Sequence, residues 1–129
     1  MRFRGEPDAT VFKRLAGRSI ERLPALFRDH LEHVVVRVRE FADRETLASL
    51  GMDDPWELTG LYDGRPVGES WHTGDMSPVI TLYRAPLLSE WRETEVLLED
   101  LVHHVVVHEV AHHFGLSDEE IHAIEDDAP

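Results

Sequence analysis

Apolar residues recur along the start of the chain at three- and four-residue steps: Phe12, Leu15, Ala16, Ile20, Leu23, Leu26, Phe27 and Leu31. That spacing draws one apolar stripe down a helix and predicts helical structure over residues 8–31, in two pieces. Gly17 and Ser19 are the candidate breakers, and Pro24 suits the first turn of a second piece, where no backbone N–H is needed. The period then shortens. Val34, Val36 and Val38 alternate with Val35, Arg37 and Arg39, the pattern of a strand over Val34–Phe41 with one face in a core. Residues 42–55 are poorly periodic, with room for a short helix near Thr46–Leu50. Leu58–Tyr62 followed by Asp63-Gly64 predicts a strand running into a turn. Gly68–Ser77 reads as a loop, and Val79–Arg84 predicts a third strand, ended by Pro86.

From Ser89 the pattern turns helical again. Ser89 is the expected N-cap, with Glu90, Glu93 and Glu95 near the positive end of the helix dipole. The helix is expected to reach Phe114. Between Val96 and Phe114 apolar residues cover nearly every direction, as in a helix buried through the middle of a domain. Val105-Val-Val107 favours a strand locally, yet a strand would hold His108 and His112 about 13 Å apart. A helix sets them one turn apart on one side. Gly115 fits a left-handed C-terminal cap, and Ser117-Asp-Glu-Glu120 has the form of a capping box opening a final short helix to about Ile124.

A length of 129 residues predicts one domain spanning 1–129. No apolar run is long enough to cross a bilayer, and the N-terminus lacks the apolar core of a secretory signal. The absence of cysteine excludes disulfides and thiolate metal sites. Together these features predict a soluble, cytoplasmic protein with no membrane association. The net charge of −13, from 26 acids against 13 bases, disfavours nucleic acid as a partner. The excess reads as a solvated acidic surface, with a preference for basic substrates or partners as the sharper alternative.

The segment from His108 to Asp118 reads His-Glu-Val-Ala-His-His-Phe-Gly-Leu-Ser-Asp. The bare His-Glu-x-x-His pattern would arise in roughly 7% of shuffled chains of this composition; adding Gly115 and an acid or His at 118 lowers that to about 0.1%. Neutral imidazoles from His108 and His112 with one carboxylate oxygen from Asp118 would leave a fourth position on a zinc ion for water. Zinc lowers the pKa of such a water towards about 7, and Glu109 is placed to take its proton as general base. An Asp ligand leaves the ion less positive than a third His would, which admits manganese or iron as lesser alternatives. Asp118 also has a purely structural explanation, as an acid favoured in a first helical turn. His104 could contact the ion or belong to the core; His113 could orient Glu109 or simply favour the helix C-terminus. His103 and His122 read as solvated, with His122 the reserve ligand, and Trp56, Trp71 and Trp91 as core or loop anchors. No cysteine or Gly-x-Ser-x-Gly nucleophile and no phosphate-binding loop is present.

The extended motif resembles that of metzincin-type peptidases, with Asp118 where a third His usually stands. Along nearly its whole length the chain resembles a short bacterial family of minimal zincin-like metallopeptidases. The likeness rests on Leu-Pro24-x-x-Phe27, the Val-rich strand, Gly60-Leu-Tyr-x-Gly-x-Pro66, Ile80-Thr-Leu-Tyr-Arg84 and the 108–118 array. It implies a small α+β domain with N-terminal helices, a small mixed sheet on a long buried active-site helix, and a short C-terminal helix. It further implies one zinc ion on His108, His112 and Asp118, with Glu109 as catalytic acid/base on a peptide or protein substrate. An edge strand would pair with extended substrate, and Val79–Arg84 is the expected one. The alternative is a catalytically silent, metal-stabilised binding or regulatory protein of the same fold.

Overall fold

The computed structural model describes residues 6–64, 78–117, 119–120 and 122–123. The 68–77 loop, Trp71 and Asp118 lie outside the described residues. Helix α1, Ala9–Glu21, starts where the Asp8 carboxylate accepts the Val11 N–H at 3.1 Å, and it buries Phe12, Leu15, Ala16 and Ser19. It runs straight through Gly17. The break comes at residues 22–24 instead, and Pro24 caps α2, Ala25–His30. Strand β1, Val35–Arg39, keeps Val36 and Val38 half-buried and its alternate residues exposed. Helix α3, Arg44–Ser49, is capped by Asp43, whose carboxylate accepts the Thr46 N–H at 2.7 Å. A 3-10 turn over Pro55–Glu57 leads to β2, Gly60–Asp63; β3 is Val79–Tyr83.

The sheet order is β1-β3-β2, with β3 parallel to β1 and antiparallel to β2. Val79–Tyr83 is therefore the central strand, and the expectation that it is a free edge is wrong. Ile80 to Tyr83 are buried on both sides of the strand, Ile80 and Leu82 completely. A strand covered on both faces reads as a continuous apolar run, whereas an exposed edge alternates. Val-Ile-Thr-Leu-Tyr carries that signal in the sequence.

The long helix expected from Ser89 to Phe114 is two helices. Helix α4, Arg84–Thr94, begins straight after β3, so Ser89 is an interior residue and not a cap. Pro86 is tolerated because it is the third helical residue, before N–H groups are needed for the internal ladder. Glu95 then takes the left-handed conformation at φ 58°, Leu97 is extended, and α5 runs over Leu98–His113. Gly115, at φ 76°, donates to the His112 carbonyl, and Leu116 donates to Ala111, the paired bonds of a Schellman cap. Ser117 and Glu120 form the expected capping box: the Glu120 N–H reaches Ser117 Oγ at 3.2 Å and the Glu120 carboxylate accepts from Ser117.

Helix α5 is the spine of the core. Val105, Val106 and Val107 are between 0% and 6% exposed. Three valines cost roughly 2 kcal/mol in helix propensity, while burying each side chain returns about 1.5 kcal/mol or more, so packing overrides local preference. Helix α1 lies against one side of α5 and β2 against another. The β2 contact is close: a Cβ on Gly60 would stand 2.6 Å from Val105 Cγ1. Tyr83, with Ala42, Leu47 and Leu58, fills a second, smaller cluster on the other face of the sheet. No helix among the described residues is long and apolar enough to cross a membrane.

Candidate metal centre

The helical state of α5 puts His108 and His112 one turn apart near its C-terminal end, where the Gly115 cap stops it. Their ring centroids are 5.8 Å apart and nearly perpendicular, at 84°. Two imidazoles sharing a tetrahedral ion at about 2.1 Å from each nitrogen would have centroids about 5 Å apart. The observed separation is within about 1 Å of that value. His108 is half-buried and His112 exposed, so the pair opens towards solvent on one side.

Glu109 lies between them in sequence and about 100° around the axis from His108. Burial pushes its carboxyl up to about 7, with the nearby His112 pulling in the opposite direction. Its charge is felt at Tyr83. Burial is the main cause holding that phenol above its usual value, followed by Asp43; Arg37 and Arg39 oppose, and Glu109 adds.

The other histidines divide by helical phase. His104 is exposed, its ring 4.2 Å from that of His108. The His122 ring lies 6.5 Å from His108. His113 faces β2, with its ring 4.2 Å from Tyr62 and 6.2 Å from His30. Tyr62 has its hydroxyl buried, and that burial raises it to about 12. His103, read as solvated from sequence, is 6% exposed, and its Nδ1 lies 2.6 Å from Ser19 Oγ on α1. Position 103 faces α1, where Ser19 meets the ring, and so lies in the core rather than in solvent. Trp56 is 54% exposed and edge-on to Phe41, while Trp91 packs on the main core.

Among the described residues no group of three His, Asp or Glu side chains comes together to hold a metal. His108 and His112 supply two donors, both of a kind that zinc accepts, and Asp118 is outside the described set. The donor chemistry fits a zinc-class ion that draws its remaining ligands from elsewhere. The sequence model of a family described as zincin-like metallopeptidase matches residues 31–128, a span that includes the sheet, α5 and the capping box. No curated protein matches the chain.

Proposed function

Because the chain belongs to the zincin-like metallopeptidase family, we propose that it hydrolyses peptide bonds with one zinc ion held by His108, His112 and Asp118. The observation that carries this reading is the pair of imidazoles one turn apart on α5, with the half-buried Glu109 carboxyl between them in sequence. Zinc, when bound, makes water available as a nucleophile near neutral pH and polarises the substrate carbonyl. The Glu109 carboxylate would accept a proton from the attacking water and return it to the departing amine nitrogen. A carboxyl raised to about 7 suits both transfers. Asp118 adds the third protein ligand from beyond the Gly115 cap. Extended substrate pairs with a sheet edge, and among the described strands β2 is the edge that lies against α5.

Glu109→Gln provides the test. The variant should keep its zinc and lose peptide cleavage by about 100-fold or more, the usual worth of a general acid–base group. Wild-type activity in a zinc-loaded variant removes Glu109 from the mechanism. A second reading, a metal-stabilised binding protein without turnover, draws on His122. Its ring near His108 could complete a closed set of four protein ligands. Zinc-loaded protein that leaves a diverse peptide library uncut, with His122→Ala lowering zinc affinity, favours that reading.

A further inference from the structure

Donor side chains continue along α5 beyond the pair described above. Asp100, His104, His108 and His112 stand at every fourth position. Each step turns about 40° around the axis, so the four form a slowly winding row along one side of the helix. The row is a surface feature: Asp100, His104 and His112 are exposed and His108 is half-buried, while the intervening Val102, His103, Val106 and Val107 are buried. The rings of His104 and His108 are 4.2 Å apart and tilted by 50°, closer than the 5.8 Å between His108 and His112. The two separations bracket the roughly 5 Å expected for imidazoles on one tetrahedral ion. The ring of His108 thus stands at a separation from each neighbour that is compatible with sharing an ion.

We propose that His104 and His108 form an outer station for a divalent cation of the zinc class, overlapping the inner pair through the shared His108 ring. This rests on His108 and His112 being ligands, as set out under Proposed function. The stations exclude each other, because His108 commits one ring nitrogen to one ion at a time. Loading from solvent would then exchange His104 for His112, with Asp118 joining and His108 ligated throughout. Glu99 and Asp100, both exposed in the first turn of α5, stand where an arriving cation meets the row. The chain's net charge of −13 raises the local cation concentration around it. His104 serves uptake in this scheme and takes no part in hydrolysis.

The test is Co2+ titration of the full chain, read by visible absorption, with stopped-flow uptake on the metal-free protein. His112→Ala breaks the inner pair and leaves His108 with Asp118; it should still bind Co2+, more weakly than wild type. Adding His104→Ala should weaken that residual binding by about tenfold or more, as expected for a lost ligand. His104→Ala alone should leave equilibrium affinity nearly unchanged and slow Co2+ uptake, and His104→Gln, which keeps size and helix propensity, should do the same. Equal affinity of the His112→Ala protein with and without His104 overturns the outer station, as does uptake at the wild-type rate in both His104 variants. If His112→Ala matches wild type, the inner pair fails instead, and the double variant still decides the role of His104.

Discussion

Burial acts on individual ionisable groups here in opposite senses. At Glu109 it favours the protonated carboxyl, and at His30 it favours the neutral imidazole, with the neighbouring His113 charge acting in the same direction. In the unfolded chain His30 titrates near 6.5, so on acidification the unfolded state takes up its proton first. Stability from this group is present above that pH and is lost as pH falls through 6.5 towards the lower folded value. His30→Gln should therefore lose less of its thermal midpoint than wild type between pH 7.5 and 5.5. Equal losses in the two proteins would remove His30 as a source of acid sensitivity. The neighbouring case of His103 and His104 marks where residue-scale reading stops. Their directions differ by about 100° around α5, and apolar residues on every side of that helix leave its rotational phase unset. Only the position of α1, with Ser19 facing inward, decides that His103 is buried and His104 is not.

Elements with an internal period were legible, and joints between them were not. Helix α1 and strand β1 each show one clean stripe, and the spacing of His108 and His112 asks for a helix if the two are to act together. The α4–α5 joint carries no such mark, because Glu90 to Leu97 contains neither Gly nor Pro. The chain makes its corner by forcing Glu95 into a conformation that costs an ordinary L-residue roughly 1–2 kcal/mol. Glu95→Gly should relieve this, and after the extra flexibility of glycine in the unfolded state a net gain of about 0.5–1 kcal/mol should remain. Urea denaturation of the two proteins reads it directly. A less stable variant would mean that the Glu95 side chain contributes contacts outweighing its backbone cost. The order of the strands was hidden for a different reason. Pairing is a long-range property, and the near-continuous apolar run of β3, broken only by the buried Thr81, was the one local hint of its central place.

Across the molecule, the helix that presents the candidate ligands is also the one most of the core packs against. Metal held on its outer face should therefore stabilise the entire fold, and a chelator should lower the thermal midpoint. Free zinc at a hundred times its dissociation constant contributes about 2.7 kcal/mol by mass action if only the folded state binds it. Asp118→Ala should shift the zinc concentration needed for half of that stabilisation upward by about tenfold or more. An unshifted dependence would assign Asp118 to the helix cap alone. Gly60 joins sheet to helix at the same scale, because β2 rests on Val105 with no room for one more carbon. That fit makes the two positions thermodynamic partners. Enlarging Gly60 to Ala, or trimming Val105 to Ala, should each cost about 1 kcal/mol or more, one by crowding and the other by hollowing. Made together, the changes should cost clearly less than their sum, because the methyl removed from one surface vacates the volume the other requires.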